Sequence, residues 1–148
     1  MSKAETNEQS APLIDEQLCF ALYSTSRAIT KKYSGILDEL GLTYPQYLTM
    51  LVLWEKDGRS VQEIADCLEL EGATTTPLLK RMESLDLVQK KRSKEDERRF
   101  EVFLTKKGHT MRARARDVPE RLGCALGVTD SQVDTLMKHL RDLRRTMG

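Results

Sequence analysis

Residues 59 to 105 constrain the fold of this chain more than any other segment, because two short helices there run straight into a charged hairpin. Ser60-Val-Gln-Glu63 is a capping box, in which the Ser hydroxyl and the Glu carboxylate each satisfy a backbone N–H that a helix start leaves open. The helix it opens has apolar positions at Val61, Ile64, Ala65 and Leu68, at helical spacing. A turn around Leu70-Glu-Gly72 leads to a second helix, Ala73 to Leu85, with Leu78, Leu79, Met82 and Leu85 on one side. Its other side carries Thr74, Thr75, Thr76, Lys80 and Arg81, hydroxyls and cations that suit phosphates and the base edges of a major groove. Leu87-Val88, the charged run Gln89 to Arg99 and the alternating Phe100-Glu-Val-Phe-Leu104 then read as strand, hairpin and strand. Two short helices alone would be ordinary packing. Followed by a basic hairpin, they imply a winged helix-turn-helix that meets double-stranded DNA.

Charge supports this through its distribution. The net charge of the 148 residues is only +1, but residues 1–72 hold six Lys and Arg against twelve Asp and Glu. Residues 73–116 reverse the balance, with thirteen against six, and residues 117–148 are even at five and five. A single charged run is ordinarily a solvated face; its coincidence with the helix pair and hairpin points to nucleic acid. The length fits one domain, and sparse aromatics with few strand signals favour a mainly α fold carrying a small β-wing. No apolar stretch is long enough to span a bilayer, and a secretory pattern is missing from the first residues, so a cytoplasmic location without membrane association is expected. In a reducing compartment Cys19, Cys67 and Cys124 are not expected to form a structural disulfide, and their wide spacing fits no zinc pattern. His109 and His139 suggest no metal either. There is no Gly-rich phosphate loop, catalytic carboxylate pair or Ser/His/Asp arrangement, so no cofactor and no enzymatic activity are expected.

The flanking segments read as helices. Residues 1–12 are expected to be a disordered tail. A long helix should start at Ile14-Asp15, with Asp15 as its cap, and close at Gly41. Thr43-Tyr-Pro-Gln46 is a second capping box, opening a helix whose Leu48, Leu51, Val52 and Trp54 look like central core. Thr105 should cap a helix that breaks near Pro119, and Thr129-Asp-Ser-Gln132, a third capping box, starts the last helix. The terminal helices carry apolar stripes larger than one small winged domain can cover. Pairing between two copies would bury them and set two recognition helices roughly 34 Å apart, as a pseudo-palindromic operator requires. The expected organisation is one domain over 13–148: dimerisation helices at 13–41 and 117–148, a winged helix-turn-helix at about 43–105, and a connecting helix at 106–118.

Over nearly its whole length the chain resembles the MarR family of winged-helix regulators. The wing motif is Asp96-Glu-Arg98 followed by Val102-Phe-Leu104-Thr105 and Gly108. Leu18-Cys-Phe-Ala-Leu-Tyr23, Leu42-Thr-Tyr-Pro-Gln-Tyr47 and Thr76-Pro-Leu-Leu-Lys80 are similar to the organic-hydroperoxide-sensing, OhrR-like branch. The resemblance implies that Asp96 orders the wing and that Arg98 or Arg99 enters the minor groove. Asp86 departs from the pattern, standing after the recognition helix where the family commonly has Gly; Cys67 is a second departure.

The resemblance also implies a redox role for two cysteines. A lone helical Cys beside Phe20 and Leu22 is ordinarily a buried small hydrophobe. The family instead makes Cys19 the peroxide-reactive thiol, near a helix start whose dipole favours an anion. Its hydrogen-bonding tyrosines map onto Tyr33 and Tyr44, which as residues alone would read as surface packing. Cys19 and Tyr33 are 14 residues apart, roughly 21 Å along one helix, so they could cooperate only across a dimer. Cys124 implies the two-Cys subtype, in which an organic hydroperoxide oxidises Cys19 and Cys124 of the other copy closes an intersubunit disulfide. On that reading the chain is a repressor that leaves its operator on oxidation. Cys67, one turn beyond Ile64, reads as structural and core-facing. Two alternatives stay open: a MarR-type regulator of a phenolic or other small ligand with structural cysteines, and a thiol peroxidase using Cys19 and Cys124.

Overall fold

A computed structural model describes residues 11–148; the tail expected at 1–12 lies almost wholly outside the described residues. The first α-helix, α1 (Leu18–Leu37), starts later than its sequence suggests. Ile14–Glu16 form a separate 3₁₀ turn, and Gln17 breaks the helix by taking extended backbone, φ −89° and ψ 119°. Asp15 therefore caps nothing, and Cys19 becomes the second residue of α1. A 3₁₀ turn, Asp38–Leu40, continues the helix to Gly41, whose left-handed φ of 69° lets Leu42 donate back to the Leu37 carbonyl.

The capping boxes of α2 (Tyr44–Glu55), α3 (Val61–Leu68) and α7 (Asp130–Met147) are all formed. Pro45 sits in the first turn of α2, where its missing N–H costs nothing. The helix is central, but its buried face is Tyr47, Thr49, Met50 and Leu53; Leu51 faces solvent, and Leu48, Val52 and Trp54 are half-buried. α4 (Gly72–Ser84) follows a turn in which Glu69 takes the left-handed region. α5 (Lys106–Arg114) is capped by Thr105, and Pro119 stands in the first turn of the separate α6 (Val118–Leu126).

Three strands form one antiparallel sheet in the order β1-β3-β2: β1 (Arg59–Ser60), β2 (Val88–Arg92) and β3 (Phe100–Leu104). β1, two residues long, is too short to leave a periodic signature. The core runs from Leu37, Met50 and Leu53 through Ile64, Leu79 and Met82 to Leu87, Val102, Met111 and Val118. α7 contributes no buried residue. No helix among the described residues is long and apolar enough to cross a membrane.

Asp86 adopts the left-handed φ of 58° at the end of α4, where the family pattern has Gly. Leu87 N–H donates to the Met82 carbonyl across it, and Thr105 Oγ1 donates to the Asp86 carbonyl at 2.6 Å. Gly108 then passes so close to this corner that a Cβ would lie 2.3 Å from the Leu87 carbonyl oxygen. Gly108→Ala should therefore lower unfolding free energy by about 1–3 kcal/mol through overpacking. Denaturant melts should show it as a lower midpoint, and an unchanged midpoint would contradict this close approach.

Candidate DNA interface and cysteine sites

The face of α4 turned to solvent presents Thr74, Thr76, Lys80 and Arg81. Thr75 departs from expectation. It is fully buried and its hydroxyl donates to the Glu71 carbonyl, so this threonine belongs to the core. Between the start of α3, the start of α4 and the wing runs an open groove of about 770 Å³, lined by Ser60, Gln62, Thr76, Lys90, Arg98 and Arg99. Lys90 reaches Glu83 on α4 at 3.6 Å, tying the wing strand to the recognition helix.

The hairpin is closed by the Ser93 N–H on the Arg99 carbonyl at 2.8 Å. Inside it Asp96 is bonded twice: Oδ1 accepts the backbone N–H of Arg98 at 3.0 Å, and Oδ2 lies 3.7 Å from Arg99 Nε. The guanidinium partner of Asp96 is thus Arg99, while Arg98 binds it only through its backbone. Among the described residues the Arg98 guanidinium has no ion pair, which leaves it at the tip.

The sensing residues expected from sequence fall into two groups. Cys19 is exposed near the start of α1, as are the neighbouring Leu18, Phe20, Leu22 and Tyr23. Tyr33, on the same helix, stacks on Tyr44 with ring centroids 4.8 Å apart and on Tyr47 at 5.8 Å. Burial, and then the neighbouring Tyr44 and Tyr47, push the Tyr33 hydroxyl up to about 12; burial also raises that of Tyr47. One chain therefore joins Tyr33 to Tyr44 but keeps both far from Cys19. Sequence reading missed Tyr47, although it sits one turn beyond Tyr44 in the same motif.

Cys124 is exposed on α6. Cys67 is exposed too, against expectation, because α3 turns Ile64 and Ala65 inward and Cys67 outward toward the Arg59 guanidinium, 3.5 Å from its sulfur. α6 is held to the end of α1 by a two-pronged Arg121–Glu39 contact at 2.8 and 2.9 Å, which keeps the Glu39 carboxyl below its usual range. Beyond this, large apolar side chains stay open along the start of α1 and on α7, where Leu136 is 52% exposed.

Residues 31–114 match the family described as transcriptional regulator SarA/Rot. The chain is 42% identical over 134 residues to the organic hydroperoxide resistance transcriptional regulator of Bacillus subtilis, covering 90% of this chain and 88% of that protein. Among solved structures it is similar to AbfR of Staphylococcus epidermidis. Reduced AbfR bound to DNA matches at TM-score 0.74 and 29% identity, over 90% of this chain and 94% of that one. Disulfide-formed AbfR matches less well, at TM-score 0.62 and 31% identity, over 90% and 89%.

A Tyr33 hydroxyl raised from 10.0 to about 12 keeps its proton longer folded than unfolded. Its contribution to stability is fully present below about pH 10 and is lost as pH rises from there through about 12. Ultraviolet phenolate titration should show a late-ionising tyrosine that Tyr33→Phe removes. Persistence of the latest phase in that variant would contradict the assignment.

Proposed function

The chain belongs to the SarA/Rot- and MarR-type winged-helix transcriptional regulators, and we propose that within this family it is a dimeric, redox-sensing repressor released from its operator by organic hydroperoxides. The observation that carries the reading is the division of α1: an exposed Cys19 near one end, and a tyrosine cluster roughly 21 Å away near the other. A second copy laid along the open apolar faces of α1 and α7 would bring each Cys19 to its partner's Tyr33 and Tyr44. Burying a Leu or Val side chain fully contributes about 1.5–3 kcal/mol, and Val133, Leu136 and Leu18 are 42%, 52% and 63% exposed, so covering what remains supplies roughly half of that apiece.

In this reading Thr74, Thr76, Lys80 and Arg81 meet the major groove, Arg98 enters the minor groove, and Asp96 orders the wing. The two recognition helices engage half-sites of a pseudo-palindrome about one DNA turn apart. The similarity to AbfR, which is DNA-bound in both its reduced and its overoxidized form, supports DNA as the partner.

Sensing proceeds through the cysteines. The Cys19 thiolate attacks the terminal peroxide oxygen, the O–O bond breaks, and the alkoxide leaves as the alcohol after taking a proton. Tyrosine hydroxyls, neutral at physiological pH, donate to the thiolate. The Cys124 thiol of the partner then attacks the sulfenic sulfur, and water leaves as the disulfide forms. Sulfurs about 2 Å apart require movement of α1 against α6, which displaces the winged domains from register. The peroxide is thereby reduced once per dimer site, as a signal and not as catalytic turnover, in a reducing cytoplasm that resets the thiols.

A second reading is favoured by an open groove of about 620 Å³ beside the tyrosine cluster, lined by Tyr44, Leu48, Leu68, Leu70, Pro77 and Arg81 among others. A phenolic or similar small ligand there would regulate DNA binding with the cysteines structural. Alkylation of Cys19 that leaves DNA binding and response intact would select this alternative.

Cys19→Ser should bind operator DNA but stay bound after organic hydroperoxide. Cys124→Ser should oxidise at Cys19 without forming a covalent dimer on non-reducing gels. Normal peroxide release by Cys19→Ser would refute the redox mechanism. Arg98→Ala should weaken binding and lower the slope of log affinity against log salt by about 2, one for each wing of the dimer; an unchanged slope in equilibrium titrations would remove Arg98 from the interface.

A further inference from the structure

The turn between α2 and β1 holds a carboxylate that the reading above leaves unused. β1 pairs with β3 at only two positions, Arg59 with Val102 and Ser60 with Glu101. Continued in register, the next positions would set Gly58 opposite Phe103 and Asp57 opposite Leu104. The strand does not continue, because Gly58 turns away with φ 73° while the Phe103 ring packs where its Cβ would stand. The Leu104 N–H would thereby lose its strand partner. Asp57 supplies one from its side chain: Oδ1 accepts the Leu104 N–H at 2.9 Å and the Gly58 N–H at 3.0 Å. Its other oxygen lies 3.5 Å from His109 Nε2 on α5. Beside it Trp54 Nε1 donates to the Gly108 carbonyl at 3.0 Å. One carboxylate thus joins the end of α2, the last residue of β3 and the first turn of α5, at the root of the wing.

We propose that Asp57 is a positioning residue for DNA binding, setting the tilt of the wing relative to the recognition helix. A strand rises about 3.3 Å per residue, so Arg98 lies about 20 Å of chain from Leu104, and a root tilt of about 10° displaces the tip by about 3.5 Å. That is a hydrogen-bond length, enough to take an arginine out of a minor groove. The proposal rests on the DNA-binding reading and adds to it a residue outside the interface.

The test compares Asp57→Ala with Asp57→Asn, which keeps an oxygen acceptor, in the full-length protein. The probe is a duplex selected by the wild-type protein from a random-sequence pool. Asp57→Ala should weaken binding about tenfold and speed amide exchange at Leu104, while Asp57→Asn stays within about threefold. In an Arg98→Ala, Arg99→Ala background the further effect of Asp57→Ala should shrink below about twofold, since the residue acts through the wing tip. Equal weakening in both backgrounds would overturn the positioning role and leave DNA binding standing. So would unchanged Leu104 exchange in Asp57→Ala, a readout that needs no DNA. Wild-type protein that selects and binds no duplex would overturn the DNA reading, and this proposal with it. If the alanine variant unfolds, Asp57→Glu, whose longer side chain displaces the acceptor while keeping the charge, takes its place in both backgrounds with the same expected outcomes.

Discussion

The Leu87 carbonyl is the contact on which this architecture turns. It accepts the Thr105 N–H at 3.1 Å and sits where Gly108 has no side chain. Around it Thr105 bonds both the Asp86 carbonyl and the Gly108 N–H, and Lys107 reaches the Leu85 carbonyl at 2.9 Å. The end of α4 and the start of α5 are thereby laced together, although the whole hairpin lies between them in sequence. A wing can then project from the body without carrying much core of its own. Its exposed residues are free to be chosen for charge, and residues 88–104 carry six Lys and Arg against four Asp and Glu, while the larger part of the basic excess lies on α5.

The same corner explains the cost accepted at Asp86. A left-handed residue with a Cβ is less favourable than glycine there. Its carbonyl receives the shortest hydrogen bond of the corner, from Thr105, which offsets part of that strain. The wing tip repeats this economy of short-range bonds. Asp96 organises the hairpin through one backbone N–H and one arginine, so a single short carboxylate settles which of two adjacent arginines is tied down and which projects.

What could be read from the residues was whatever is written in local spacing. Three capping boxes mark the starts of α2, α3 and α7 because both partners lie within four residues. The β2–β3 hairpin shows in its alternation and turn charge. What escaped depends on partners far away in the chain. Thr75 is indistinguishable by type from Thr74 and Thr76, and only packing of the helix decides which of the three is buried. Cys67 follows Ile64 by three residues, yet the inward face of α3 runs through Ile64 and Ala65 to the half-buried Leu68 and leaves Cys67 outside it. β1 exists only because β3 offers an edge, and Asp57 matters only because β1 stops early. The sequence of α1 likewise hides its true start, since the break at Gln17 is a backbone choice that its residue type does not demand.

The separation of Cys19 from Tyr33 on one unbroken helix has a genetic consequence. If each sensing site takes its thiol from one chain and its hydroxyls from the other, no monomer owns a complete site. Two alleles damaged at opposite ends of α1 would then complement one another. A heterodimer of a thiol-less and a tyrosine-less chain contains one site with both defects and one site with neither. Lesions at the two ends of a single helix, on a single short chain, would thus behave in a merodiploid cell as though they lay in different genes.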